Sequence, residues 1–524
     1  MAEAVKTSKS VASAGSTQPV VELVKAFSTP FSNAIATART CYSGKGIILD
    51  SAIDLTAEGR DRAIAESIYQ AGHHTTFQHA QFQFALSGVS RQFIWSFLHS
   101  HPFYNSEQVS QRYVRLKADA IYMPQISSAA REVYLATVEM QLAAYRSLRE
   151  SLFPTAEAEY FRLFPARGRR KDEHRKSILK ITQEAARYVA PIATLAHLYH
   201  TVSGVTLLRY WRICQQGDVP LEQRRVVELM VNAVLAHDPQ YKIVLQEPLN
   251  RSDFALFPWL EEAAPAPQFA AEFDASLEGR TSRLIDYKVN AEQVVADSVR
   301  EVLGRPRTEL SDDEAIELAL DPTRNALYGE TLNLTTHDKL ARTANHPGYT
   351  FRKKLSHAAD SQDQRHRMTP GSRPALAMQL SGDPDYITPT LVQTDEASRR
   401  LYDETMTRTW DGIGRLKRMG VSDEEANYLL PNAVAVRFTE SADLLNLLHK
   451  HHMRLCYNAQ EEIWRASVDE AQQVREVHPR LGRFLLPPCT PRHMAGAKPI
   501  CPEGDRYCGV KVWQLDLSEY QRLI

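Results

Sequence analysis

Residues 72–113 read GHHTTFQHAQFQFALSGVSRQFIWSFLHSHPFYNSEQVSQRY and residues 346–373 read HPGYTFRKKLSHAADSQDQRHRMTPGSR, and the fold follows from reading the second as a diverged copy of the first. From Gln81 to Leu86 polar and apolar residues alternate, which predicts a half-buried strand. Val89, Phe93 and Phe97, with Ile94 and Leu98 between, then switch to helical spacing, and Ser90 stands where an N-cap belongs. Tyr349 to Arg367 repeats the layout, so Arg365-His366-Arg367 falls where His99-Ser100-His101 falls in the first stretch. The first stretch keeps the flanks and lacks the arginines. The second keeps the arginines and lacks much of the flanks.

The repetition extends outward. Leu23-Val24 followed by Arg39 corresponds to Leu284-Ile285 followed by Arg300, and each reads as a short strand leading into a helix. Ala190-Pro191 through Glu222 and Leu430-Pro431 through Glu462 set proline and glutamate at equal spacing around a leucine-rich helix. Ser422 with Glu425 is a capping box. Blocks in the same order predict an α+β protein of two diverged copies of one domain, mostly helical with a small sheet in each. The expected division is 1–19 as a disordered tail, 20–247 as the N-terminal copy, 248–276 as a linker, 277–480 as the C-terminal copy and 481–524 as a cysteine-containing extension. Pro248, Pro258, Pro265 and Pro267 mark the linker, and Phe254, Phe257, Trp259 and Phe269 predict that it packs against a domain.

At 524 residues the chain exceeds one hydrophobic core, in keeping with several domains. A net charge of −1 excludes a global pull toward nucleic acid or membrane, and no apolar run reaches the ~18 residues of a spanning helix. Met1 to Gln18 has no apolar stretch, so no secretory leader is expected. Six cysteines in so long a chain make no disulfide framework, which favours a reducing, cytoplasmic setting.

Arg365-His366-Arg367 offers two guanidinium forks and an imidazole to a phosphate-bearing ligand, with a solvated basic run as the plain alternative. Ser110-Gln111-Arg112-Tyr113 puts a hydroxyl, backbone amides and a guanidinium on one loop, suited to a phosphate monoester, or is an ordinary turn entering a strand from Tyr113 to Leu116. Glu184 and Arg187 lie one helical turn apart, as a ligand-facing arginine or an intrahelical ion pair. His73, His74 and His79 could line a cofactor, sit satisfied in a core or bind metal, although no carboxylate or cysteine nearby completes a metal set. Cys489, His493, Cys501 and Cys508 are weak metal candidates because their spacing matches no common zinc pair, and buried thiols are the simpler reading. Arg162 to Lys176 reads as a solvated loop, with docking of an anionic cofactor as the alternative.

Both opening stretches resemble the signature region of the flavin-dependent thymidylate synthases, which runs from an H-x4-F-E-H element through a strand to R-H-R and then S-x-R-Y. His73 to His79 is close to the first element with Gln78 in place of glutamate, Ser110 to Tyr113 matches the last, and Arg454 with Asn458-Ala459-Gln460-Glu461-Glu462-Ile463 resembles the family's R-x4-A-Q-W-E-I. The resemblance covers roughly 20–250 and 280–480 and is strong only in these blocks. It implies that Arg365, His366 and Arg367, with His73 and His79, bind FAD, and that Ser110, Gln111, Arg112 and Arg187 bind the substrate nucleotide. It also implies that Arg454 binds the pyrimidine and acts catalytically, stabilising charge that develops in the ring as C5 attacks an electrophile. His449 and His452 share a helix face and read as flavin contacts or packing.

The copies are complementary: Cys214 stands at the position of Arg454 and Asn427 at that of Arg187. Only four residues separate Arg367 from Ser372 and Pro374 replaces the expected tyrosine, so the nucleotide-gripping loop of the second copy should be short. The implied reaction is methylation of dUMP at C5 to dTMP, with methylenetetrahydrofolate as carbon donor and NADPH as reductant. The alternatives are a relative modifying another pyrimidine nucleotide at C5 and a non-catalytic nucleotide-binding paralogue. The implied partners are a small-molecule nucleotide and folate, without nucleic acid or membrane, in a homodimer standing in for the family's tetramer.

Overall fold

The computed structural model describes residues 18–98, 101–114, 116, 120–262 and 267–524. The expected tail up to residue 17, and His99 and Ser100 of the first triplet, lie outside the described residues. Two compact units are present, and each takes segments from both halves of the chain. The first holds residues up to Arg131 with Pro191–Ala263 and Gly420–Leu429; the second holds Glu132–Ala190, Ala264–Met419 and Leu430–Ile524.

The first unit is built on strands β1 (Val20–Ala26), β2 (Gln81–Ser90), β3 (Tyr104–Gln108) and β4 (Leu195–Ser203), antiparallel in the order β1-β2-β4-β3. The alternation along β2 buries Phe82, Phe84 and Leu86, each worth about 2 kcal/mol of burial. Register shifts between Ser87 and Val89, where Gly88 adopts φ +68°, a conformation that suits a residue without Cβ at a bulge. That shift puts Val89 and Ser90 both inside. Ser90 then caps helix Arg91–Leu98, its Oγ accepting from the Phe93 amide at 2.9 Å.

The second unit repeats the plan with β5 (Ser282–Tyr287), β6 (Gly348–Ser356), β7 (Gly371–Ser372) and β8 (Ala435–Asp443), in the order β5-β6-β8-β7. Even an irregularity is shared: register shifts between Leu23 and Lys25 on β1 and between Leu284 and Asp286 on β5. Ser356 caps helix His357–Asp363 as Ser90 caps its counterpart, accepting from the Ala359 amide at 3.0 Å. A duplicated α+β fold, mostly helical with a small sheet in each copy, is therefore what the chain adopts. The two-residue β7, against five residues in β3, agrees with the shortened loop after the triplet.

One buried carboxylate ties each unit together. In the first, Glu222 accepts from the Ser90 amide and hydroxyl at 2.7 Å each and from the Tyr428 hydroxyl at 2.6 Å. In the second, Glu462 accepts from the Ser356 amide and hydroxyl at 2.6 Å each and from the Tyr188 hydroxyl. Each tyrosine comes from the opposite half of the sequence to its glutamate.

Some local expectations are corrected. The stretch Arg162 to Lys176, expected as a loop, is largely helical: the end of helix Phe153–Leu163, a 3-10 turn Pro165–Arg170 and the start of helix Lys171–Ala186. Asp172 and Glu173, acidic residues in its first turn, favour the helix through its dipole. Tyr113 and Val114 lie exposed in a turn, where a strand was expected. Trp259 and Phe269 are exposed, so the aromatic content of the linker does not translate into burial of these two rings. Among the described residues, no helix is long and apolar enough to cross a membrane.

Candidate functional site

Arg365-His366-Arg367 comes one residue after helix His357–Asp363, whose last residue belongs to a buried ionic network. The Lys353 ammonium lies 3.1 Å from Asp363, 2.8 Å from Glu440 and 2.7 Å from Glu470. Lys450 lies 2.7 Å from Asp363 and also bonds Glu440. Arg373 donates to Asp360 at 2.8 Å and faces Glu440 at 3.5 Å. Burial raises the Asp363 carboxyl, but Lys353, Lys450 and Arg373 outweigh it and hold it well below its ordinary range. Glu440 is pushed up by burial and by Asp363 despite the lysines, which fits four carboxylates facing three cations. Arg373 is thus turned inward as part of this network rather than presented on the shortened loop.

Registering the copies on Ser90 with Ser356 and Glu222 with Glu462 puts Leu86, Phe97, His200, Tyr210 and Met230 at the positions of Lys353, Asp363, Glu440, Lys450 and Glu470. All five are buried in the first unit. There Phe97 and Tyr210 have ring centroids 4.5 Å apart, and His200 lies 3.1 Å from the Tyr210 hydroxyl. Sequence reasoning missed the ionic version, although the alternation of Tyr349, Phe351, Lys353 and Leu355 along β6 already points Lys353 inward.

Two arginines from distant parts of the chain meet in the second unit. Arg187, buried at the end of helix Lys171–Ala186, donates from Nη2 to the Gln460 side-chain oxygen at 2.6 Å. Gln362 donates to the same oxygen, and its own carbonyl accepts from Arg454 Nη2 at 2.6 Å. The Gln460 amide nitrogen donates in turn to the Tyr188 hydroxyl. The His366 and His449 rings lie 6.0 Å apart, and burial together with Arg454 lowers both imidazoles, leaving them neutral near neutral pH. The His366 Nε2 and both polar atoms of the Gln364 side chain are shielded from solvent without a hydrogen-bond partner. Such groups mark a place where a polar ligand or water completes the bonding. The arrangement is rich in donors and positive potential, which suits an anionic ligand bearing hydrogen-bonding ring edges.

The remaining predicted residues belong to the first unit. Ser110, Gln111 and Arg112 follow β3 in a turn, with the Arg112 amide donating to Ser110 Oγ at 3.2 Å and its guanidinium 5.5 Å from the Tyr113 ring centroid. His73 and His79 are exposed and flank the turn His74–Gln78, while His74 pairs with the Tyr69 carbonyl at 2.8 Å. The structure therefore joins Arg187 to Arg454 beside the triplet within one unit and puts Ser110, Gln111, Arg112, His73 and His79 in the other.

Three of the weak metal candidates, Cys489, Cys501 and Cys508, lie near enough for each thiol to feel its neighbours. Among the described residues no group of three or more His, Cys, Asp or Glu is arranged to hold a metal ion. Cys508 Sγ instead lies 3.7 Å from the Val510 carbonyl, the His493 ring faces Trp513, and burial pushes the Cys489 thiol up to about 12. His451, between the sequence-predicted His449 and His452, is buried between the Leu447 and Ser467 carbonyls at 2.9 and 3.2 Å.

A family model described as thymidylate synthase complementing protein matches the chain twice, over residues 22–240 and 283–480. The flavin-dependent thymidylate synthase of Geobacter sulfurreducens is 30% identical over 168 residues, covering 31% of this chain and 69% of that protein. The Sulfolobus acidocaldarius protein of the same name is 25% identical over 213 residues, 40% of this chain and 77% of its own length. The one from Sulfurisphaera tokodaii is 28% identical over 145 residues, 28% of this chain and 56% of its own. Among solved structures, the UMP/dUMP methylase PolB from Streptomyces cacaoi is 19% identical over 43% of this chain and 94% of that one, with a TM-score of 0.29.

Proposed function

The chain belongs to the thymidylate synthase complementing protein family, and from that premise we propose that it is a flavin-dependent thymidylate synthase, methylating dUMP at C5 with methylenetetrahydrofolate as carbon donor and NADPH as reductant. The observation that carries this reading is the pairing of Arg187 with Arg454 through Gln460 and Gln362. An enzyme that must grip a phosphate and polarise a pyrimidine carbonyl needs two fixed cations, and these are fixed.

In this reading Arg187 binds the nucleotide, its phosphate taking bidentate guanidinium bonds, and Ser110, Gln111 and Arg112 are read as nucleotide-binding residues of the first unit. Arg454 donates to a pyrimidine carbonyl and polarises the ring for reaction at C5. FAD suits the residues present: Arg365 and Arg367 offer forks for its diphosphate, and the unpartnered His366 Nε2 and Gln364 carboxamide offer bonds to a ring edge. His73 and His79 of the first repeat are read as flavin-binding residues as well. When bound, reduced FAD supplies the hydride that completes the methyl group. The protein's share is orientation and charge, in a homodimer.

A second reading, C5 modification of another pyrimidine nucleotide, is favoured by one observation. Arg373 is committed to Asp360, so the second repeat's loop lends no guanidinium to a sugar or phosphate, and selectivity shifts accordingly. Purified protein that shows the oxidised-flavin absorption bands and converts dUMP with methylenetetrahydrofolate supports the first reading. Turnover of UMP or dCMP in preference to dUMP supports the second, and flavin binding without turnover of any of the three points to a non-catalytic paralogue.

A further inference from the structure

We propose that Gln460 is a positioning residue that aims Arg187 at the nucleotide phosphate, an inference that rests on the phosphate-binding reading of Arg187. The orientation of its carboxamide follows from the bonds around it. Glu462 accepts from the Ser356 amide, the Ser356 hydroxyl and the Tyr188 hydroxyl, so the Tyr188 proton is committed and its oxygen is left to accept. Burial, with the neighbouring Glu462, raises the Tyr188 phenol and keeps that proton in place. The Gln460 nitrogen must therefore face Tyr188, and its oxygen must face Arg187 and Gln362. The guanidinium is held at one corner by a neutral acceptor that orients it without cancelling its charge.

The duplicated fold supplies an internal control. The strut made by serine, glutamate and tyrosine occurs in both units, as Ser90, Glu222 and Tyr428 and as Ser356, Glu462 and Tyr188. It therefore serves the fold. Two residues before the glutamate, the first unit has Pro220 where the second has Gln460, and one residue before the tyrosine it has Asn427 where the second has Arg187. The glutamine bridge thus occurs with the arginine and is replaced along with it. Starting the following helix does not call for a glutamine: Pro220 opens helix Pro220–His237 in the first unit, and the Gln460 side chain makes no capping bond to helix Glu461–Val477.

The test compares binding of dUMP and deoxyuridine, which differ by the phosphate, to the full chain and to Gln460→Met, Gln460→Glu and Arg187→Ala. Gln460→Met keeps the length and removes the acceptor; Gln460→Glu keeps the acceptor and neutralises Arg187. Both should lower dUMP affinity about tenfold or more while leaving deoxyuridine affinity unchanged, as expected for a lost charge-assisted bond. The Arg187→Ala, Gln460→Met double variant should fall no further than Arg187→Ala alone. If Arg187→Ala abolishes the preference for dUMP but both Gln460 variants keep it, or lose both ligands equally, the positioning role is wrong. If Arg187→Ala itself leaves the preference intact, the phosphate reading of Arg187 fails and takes this inference with it. Should Gln460→Glu not fold, Gln460→Met carries the comparison.

Discussion

The Lys450 ammonium lies 2.7 Å from an Asp363 carboxylate oxygen, and neither side chain touches solvent. The corresponding positions of the first unit hold Tyr210 and Phe97 in ring contact, so the two copies solve one packing problem in two ways. The ionic way is the more fragile to single changes, because removing one partner leaves the others buried without compensation. Lys450→Met should therefore destabilise the second unit by about 3–5 kcal/mol. Breaking the exposed pair Arg400 and Glu396, 3.2 Å apart, should cost less than about 1 kcal/mol. Urea unfolding of both variants checks the contrast, and equal losses would contradict it.

Glu222 and Asp363 should respond to pH in opposite directions. Burial pushes the Glu222 carboxyl up to about 7, so the folded state favours its protonated form. Its contribution is complete below an unfolded pKa of about 4.3 and is lost as pH rises toward the folded value, on the order of 3 kcal/mol in all. The Asp363 carboxyl is held low by its cations against the effect of burial, so its contribution is present above about pH 3.9 and lost as pH falls below that. Hydrogen exchange followed by segment should show protection around Ser90 weakening from about pH 4.5 to 7 and protection around Asp363 weakening in acid. Glu222→Gln should flatten the first trend and leave the second.

Arg454→Ala should lower kcat/KM for the pyrimidine nucleotide by at least about a hundredfold, because a donor aimed at developing charge acts mainly in the transition state. Its carbonyl partner Gln362 and the flanking His366 remain, so the fold should survive. Steady-state kinetics with a melting curve on the same sample separates the two effects. A change confined to KM would assign Arg454 to ground-state binding only.

The residues that were legible in the sequence were those whose pattern is local. Alternation in Gln81 to Leu86, the cap at Ser90 and the equal spacing from Pro191 to Glu222 and from Pro431 to Glu462 each follow from a few neighbouring side chains, and the fold bears out the duplication they imply. What could not be read were contacts made across long separations. Nothing near Arg187 in sequence announces Gln460, and nothing near Arg373 announces Asp360 as a partner inside the core. The compact units were hidden for the same reason: Tyr188 and Tyr428 each pack in the unit of the opposite half's glutamate, an exchange that leaves no mark on local periodicity. Trp259 and Phe269 show the converse error, since an aromatic residue can be exposed in a connecting segment.

Each chain should bind one equivalent of nucleotide. The second unit has Arg187, Gln460 and Arg454 bonded in series, whereas the corresponding residues of the first are Asn427, Pro220 and Cys214. Cys214 is fully buried, and burial raises its thiol, so it offers neither charge nor a reachable donor where Arg454 would stand. Two cationic anchors are missing from that set, and each charge-assisted bond to a phosphate or carbonyl is worth about 1.5–3 kcal/mol, so affinity there should fall by two or more orders of magnitude. Isothermal titration of the intact protein with dUMP should therefore saturate at one ligand per chain. Arg187→Ala should abolish that event without exposing a second, and saturation at two equivalents of similar affinity would show that the first unit binds nucleotide by other means.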